Sequence, residues 1–327
     1  MRSIRRILVA VKDPSAKSLR AVTKAAQLAR ALGAEIELFH SISTTLYVDA
    51  YSSTEPLSGI ERIIRGRCLE DLEFAAARVR RNDLKVTVAA EWDYPIYEAV
   101  IRRAAHIKAD LIVAEQHAGR HRAPSLLRLT DWELLRLSPV PVLLVKTDGA
   151  YRRPAVLAAV DPTHAYSKPA KLDDEILSAG SAVTKALRGT LHAVHAYSAM
   201  VTSAYRDFQP PDDVIARVDM EAAAQAKRGF DQALSSVKIP RSRRHLVNRN
   251  PVDAIARTAH ETHSSIVVMG AISRSGFKRL FIGNTAESLL DQLRCDLLIV
   301  KPAHFAPRVQ RRHRGVRLAS LSATAGM

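Results

Sequence analysis

The chain repeats itself. A shift of 155 positions carries Leu111-Ile-Val113 onto Ile266-Val-Val268, and it aligns Thr130 to Lys146 with Thr285 to Lys301 without a gap. Within that block Leu134 meets Leu289, Leu135 meets Leu290, Leu143 meets Leu298 and Val145 meets Val300. Ahead of it, Val11-Lys-Asp13-Pro14 has a counterpart in Val160-Asp161-Pro162, and Pro95 has one in Pro251. A repeat of half the length, in 327 residues, means two tandem domains with a core each, not a solenoid. The boundary falls near Gly149, in the run Thr147-Asp-Gly-Ala-Tyr-Arg-Arg153. The expected organisation is therefore a domain over 1–149, a second over 150–305, and a basic tail over 306–327.

Each copy alternates strand and helix. In the first, Arg6–Lys12 reads as a strand, Asp13-Pro14 as a turn, and Ser15–Leu32 as a helix stopped by Gly33. Glu35–His40 alternates as a second strand, and a polar loop through Ser58 leads to a helix over Ile60–Arg81. Lys85–Glu91 is the third strand, Pro95 opens a helix running to about Lys108, and Leu111–Ala114 is the fourth strand. A capping box, Thr130-Asp-Trp-Glu133, heads the last helix before the fifth strand, Val140–Val145. This order predicts an α/β fold: two tandem doubly wound domains, each with a five-stranded parallel sheet. Ligands of such sheets lie at the carboxyl ends of the strands, where strand order reverses. With order 3-2-1-4-5, Asp13 and Glu115 border that crevice in the first copy.

The second copy carries the stretch most suited to a ligand. Ile266-Val-Val-Met269 is apolar without alternation, as in a strand covered on both faces, and Gly270 ends it. A twelve-residue loop, Ala271–Ile282, follows with Gly276 inside it; Gly283 then precedes Asn284, a helix cap paired with Glu287. Backbone N–H groups, a helix N-terminus, and Arg274, Lys278 and Arg279 suit an anion such as a phosphate. The first copy has Glu115 where the second has Gly270, and Gly119 is the one glycine between Gln116 and Leu129. Arg120 and Arg122 offset that acid only in part, so no nucleotide is assigned there.

Charge and composition exclude several classes. The net charge is +16, but basic residues are spread along the chain and aromatics make up 5%, so a nucleic-acid partner is not expected. No apolar run approaches the ~20 residues that span a bilayer. Ile7–Val11 is too short for a signal-peptide core, and Cys68 and Cys295 are too few for a disulfide framework, which together point to the cytoplasm. His117 with His121, and His260 with His263, offer two ligands each, so no metal is assigned. Neither His-Glu-x-x-His nor Gly-x-Ser-x-Gly occurs, and no catalytic residue is assigned.

The Val160-Asp161-Pro162 turn, the glycine loop after the fourth strand, and Gly283-Asn-Thr-Ala-Glu287 resemble universal stress proteins. The duplication, with Thr130-Asp-Trp-Glu-Leu-Leu135 and Leu293-Arg-Cys-Asp-Leu-Leu298, resembles the tandem two-domain type of that family, over about residues 1–305. The resemblance implies a stress-response binding protein that is not an enzyme. Members that bind ATP carry Gly-x2-Gly-x9-Gly-Ser/Thr. Here the spacing holds, with Ser273 at the second glycine and Asn284 at the hydroxyl residue. The implied ligand-binding set is Asp161, Gly270, Ser273, Gly276, Arg279, Gly283, Asn284 and Thr285, and the implied ligand is ATP or a related phosphate-bearing molecule. Weak ATP affinity is expected, because Ser273 adds a side chain where backbone should approach phosphate. The fifth strands, Val140–Val145 and Asp296–Val300, are expected to meet in an intramolecular pseudo-dimer, with a homodimer also open. Two other functions compete: a nucleotide hydrolase using the second-copy loop, and a basic adaptor for RNA or acidic surfaces. The adaptor would act through Arg308, Arg311, Arg312, Arg314 and Arg317 of a tail expected to be disordered beyond Pro307.

Overall fold

A computed structural model describes residues 3–43, 45–48, 57–80, 84–116, 125–162, 171–198, 211–270, 284–302, 305, 309 and 317–320. The chain divides into two compact units, one over Tyr151–Phe305 and one joining Arg2–Ala150 to Ala306–Met327.

The first unit runs β1 (Arg6–Ala10), α1 (Arg20–Leu32), β2 (Glu35–Ile42), β3 (Thr45–Val48), α2 (Leu57–Val79), β4 (Val86–Trp92), α3 (Ile96–His106), β5 (Leu111–Glu115), α4 (Ser125–Leu137) and β6 (Val142–Val145). Five of these strands make a parallel sheet in the order β4-β2-β1-β5-β6. The order follows from burial. Ile7, Leu8 and Val9 of β1 are wholly buried, as are Ile112 and Val113 of β5, so both strands need a paired neighbour on each edge and helices on each face. Two arginines of α3 bind that helix to the sheet. Arg102 holds Asp93 through two nitrogens at 2.7 and 2.9 Å, and Arg103 holds Glu37 at 2.6 and 2.9 Å and Glu91 at 2.7 Å.

The second unit repeats the plan: β7 (Ala155–Ala159), α5 (Leu172–Ala186), β8 (Thr190–Tyr197), α6 (Asp212–Ala233), β9 (Arg244–Asn248), α7 (Pro251–Glu261), β10 (Ser264–Gly270), α8 (Asn284–Gln292) and β11 (Asp296–Val300). Its parallel sheet has the order β11-β10-β7-β8-β9. Counting only the strands of each five-stranded sheet, both orders are 3-2-1-4-5, the order under which the first and fourth strands border the crevice. All five residues of β11 are buried, Asp296 among them, and the Tyr151 hydroxyl donates to the Asp296 carboxylate. Burial, then the neighbouring Asp296, push the Tyr151 hydroxyl well above the ordinary phenol range.

Local differences from the expected elements have local causes. The first helix starts at Arg20, not Ser15, because the Asp13 carboxylate accepts from both the N–H and the hydroxyl of Ser15 and holds 13–15 in an Asx turn. Thr130 lies inside α4, which begins at Ser125; the leucines ahead of Thr130 carry the helical period upstream, so the capping box does not mark the start. The fifth strand begins at Val142, since Ser138 and Val140 close a turn through the Ser138 hydroxyl. The stretch read as a polar loop contains β3. In the tail, read as lacking structure, Arg317–Ser320 forms a strand, β12, that pairs in parallel with β3. No described helix is long and apolar enough to cross a membrane.

One contact in the second unit titrates. His192 on β8 and His245 on β9 meet through Nδ1 and Nε2 at 3.1 Å, with ring planes 12° apart. Their centroids, 5.4 Å apart, are separated by that contact plus about two ring radii, so the rings lie end to end and share one proton. Burial lowers both imidazoles; His245 and Arg243 lower His192 further, while Glu261 partly opposes the effect on His245. A lowered folded-state pKa means that the unfolded chain takes up more protons as pH falls. The stability contribution is thus intact above about pH 6.5 and lost as pH drops through the folded values. Thermal unfolding followed from pH 7.5 to 5 should show a falling midpoint, and His245→Asn should flatten that dependence.

Candidate ligand site

The strand order of the second unit's sheet reverses between β7 and β10, which pair in parallel with Met269 opposite Ala159. The chain leaves β7 toward β8 on one side and β10 lies on the other, so their carboxyl ends open a crevice that no crossover helix can cover. Val160 extends the ladder by one residue, its N–H donating to the Val194 carbonyl at 3.0 Å. The buried His195 ring then takes the Val160 carbonyl through Nδ1 at 3.3 Å, which fixes the proton on that nitrogen. Asp161 follows directly, and its N–H donates to Asp173 Oδ1 at 3.1 Å. Asp173 belongs to the first turn of α5 with Asp174 and Glu175, where carboxylates complement the helix dipole. One lip of the crevice is therefore acidic.

Gly270 forms the other lip, and its need for glycine comes from packing. A Cβ built there would stand 2.6 Å from Cδ2 and 2.9 Å from Cγ of Leu172. Leu172, the first residue of α5, is itself buried and lies across the end of β10. The contact sets how closely α5 approaches the strand end.

Of the residues expected to bind ligand, Asp161 and Gly270 stand at the ends of neighbouring strands, and Asn284 and Thr285 are the first two residues of α8. Ser273, Gly276, Arg279 and Gly283 lie outside the described residues, as do Arg274, Lys278, His117 and His121. His260 and His263 stand with ring centroids 6.5 Å apart, and the described residues hold no group of three metal-ligating side chains.

The equivalent crevice of the first unit is filled from within. Glu115 closes β5, and its Oε1 accepts the Ala21 N–H in the first turn of α1 at 3.0 Å. That carboxylate sits where a helix N-terminus would otherwise attract an external anion. The space beside it, lined by Lys12, Asp13, Val22 and Glu115 among others, is about 60 Å³, against ~300–1,000 Å³ for ordinary small-molecule sites. Sequence reasoning placed Glu115 at the crevice but missed what it bonds. It also missed Asp173 and the two histidines. His40 binds the Val11 carbonyl through Nδ1 at 2.9 Å, and burial lowers its pKa. His40 and His195 stand 155 positions apart, so extending the repeat to them gave the signal.

With this geometry in place, comparisons locate the chain among known proteins. The sequence pattern of the universal stress protein family matches residues 3–146 and 156–301. Universal stress protein E of Salmonella typhi is 27% identical over 320 residues, covering 93% of this chain and 96% of that protein. A universal stress protein E homolog of Haemophilus influenzae is 24% identical over 314 residues, covering 90% and 97%. Among solved structures, a functionally unknown protein from Pseudomonas aeruginosa PAO1 superposes with a TM-score of 0.68 at 21% identity, covering 92% of this chain and 94% of that one. A universal stress protein from Archaeoglobus fulgidus does so at 0.57 and 18%, covering 92% and 99%. At these identities the structures share the fold.

The packing account of Gly270 makes a prediction. Gly270→Ala should displace Leu172 and destabilise the protein by about 1–3 kcal/mol, as overpacking does, read from the midpoint of urea unfolding. Gly270→Ala combined with Leu172→Ala should recover part of the loss due to overpacking.

Proposed function

The chain belongs to the universal stress protein family, and from that premise we propose that it is a stress-response binding protein whose second unit holds a phosphate-bearing small ligand without turning it over. The observation that carries this reading is that Gly270, the last residue of β10, and Asp161, two residues past β7, follow neighbouring paired strands, ahead of the segment that leads into α8. The acidic lip of Asp161 and Asp173 suits the hydroxyl and amino donors of a nucleoside. The glycine-bearing loop, with Arg279 and the N–H groups at the head of α8, suits its phosphates. The first unit, with Glu115 already seated at the head of α1, takes no ligand of this kind. Binding without turnover fits a chain that carries no Gly-x4-Gly-Lys-Ser/Thr loop to activate a terminal phosphate. A cytoplasmic setting suits its two unpaired cysteines.

Calorimetry with ATP, ADP and AMP tests this. Binding to the wild type should be weak for ATP, since Ser273 and Asn284 stand where ATP-binding relatives carry glycine and a hydroxyl residue. Gly283→Val should weaken binding by about tenfold or more, roughly 1.4 kcal/mol, while Arg120→Ala should change it little. Equal binding by wild type and Gly283→Val, or steady phosphate release from ATP, would overturn the proposal.

A further inference from the structure

A groove runs between α1 and α2 of the first unit, sharing Leu19 and Val22 with the lining of the first-unit crevice. Its volume is about 600 Å³, within the ~300–1,000 Å³ usual for small-molecule sites. The accessible apolar lining is Leu19 ahead of α1 and Val79 at the end of α2, both half-buried, together with the buried Val22 and Ala26 of α1 and Ala75 of α2. The rim is cationic, with Lys17 ahead of α1, Arg30 in its last turn and Arg78 near the end of α2. Among the described residues no carboxylate lines the groove.

The two guanidiniums are held in place without being neutralised. Arg30 Nη2 donates to the Val79 carbonyl at 2.8 Å, and Arg78 Nη1 donates to the Lys17 carbonyl at 3.2 Å. Each thereby spends one N–H on a backbone oxygen and keeps others for an acceptor in the groove. The bonds cross between the segments they join, so the cations are positioned before any ligand arrives. One turn before Arg78, Phe74 is 71% exposed, and at that spacing the two side chains are neighbours on the surface of α2. An exposed phenyl ring beside a cationic rim extends the apolar surface outward from the groove.

Two positioned guanidiniums and the Lys17 ammonium around an apolar lining match one chemistry. We propose that this groove binds a small amphipathic anion, a carboxylate or phosphate monoester with an apolar chain or ring. The head pairs with Lys17, Arg30 and Arg78; the body covers Leu19 and Val79 and leaves past Phe74. The site is separate from the crevice of the second unit and stands whether or not a nucleotide binds there.

Titration calorimetry on the full chain tests it, using decanoate, decyl phosphate, decyl glucoside and inorganic phosphate, each below its micellar concentration. Decanoate or decyl phosphate should bind the wild type, and the stronger of the two identifies the head group. Decyl glucoside and inorganic phosphate, lacking the charge and the chain respectively, should not bind measurably. Arg30→Gln with Arg78→Gln should weaken binding by about tenfold or more, through loss of charge-assisted hydrogen bonds. Thr23→Trp, at an exposed position on the rim, should block the groove while leaving the melting temperature in place. The arginine variants serve alone if the tryptophan variant proves unstable. Equal binding of decyl glucoside, unchanged binding by the arginine pair or by a folded Thr23→Trp, or no binding of either anionic probe would overturn the proposal.

Discussion

A parallel strand buried on both faces can satisfy its backbone only through the strands beside it, and this requirement organises both units. The central pairs, β1 with β5 and β7 with β10, are built from side chains with almost no contact with water. Each crossover between parallel strands must pass over a sheet face, and a right-handed crossover on both sides of a central strand leaves the ends of that central pair uncovered. A crevice at the carboxyl ends is thus a consequence of the fold, present before any functional residue is chosen. What each copy does with it depends on what stands at the strand ends.

The two copies resolve the same geometry differently at one aligned position. At the end of β5, Glu115 turns its carboxylate into the first turn of α1 and supplies from within the anion that the helix N-terminus favours. At the end of β10, the aligned residue is Gly270, and the head of α5 closes on it through the apolar Leu172. Asp173 of α5 then bonds the Asp161 N–H on the opposite lip. The histidine contacts are common to both copies: His40 and His195 each hold the carbonyl that follows the first strand of their unit. The two copies thus share their scaffolding and differ at the strand end, with Glu115 bonded into α1 in one and Gly270 packed under Leu172 in the other.

Much of the fold was legible because the repeat and the strands rest on local patterns. The 155-residue shift, the unalternating apolar runs and the left-handed Gly33 at the end of α1 are short-range signals, and each corresponds to an element in the structure. Helix starts were less legible. Apolar periodicity cannot reveal the Asx turn at Asp13 that delays α1, and a plausible capping box at Thr130 hid the true start of α4. The strand β3 escaped notice because its partner, β12, lies at the far end of the chain. At the site, topology brought Asp161 and Gly270 to adjacent strands as the order 3-2-1-4-5 requires. The bond from Ala21 to Glu115 and the contact of Leu172 with Gly270 join distant segments, and no spacing in the sequence encodes them.

The proposed ligand takes the second-unit crevice, while in the first unit Glu115 occupies the head of α1. A crystal structure of the full chain soaked with an adenine nucleotide addresses that claim directly. The account predicts ligand density between Asp161 and the head of α8, and none beside Glu115, whose carboxylate stays on Ala21. Density in the first-unit crevice, with Glu115 swung away from α1 and the second-unit crevice empty, would contradict it.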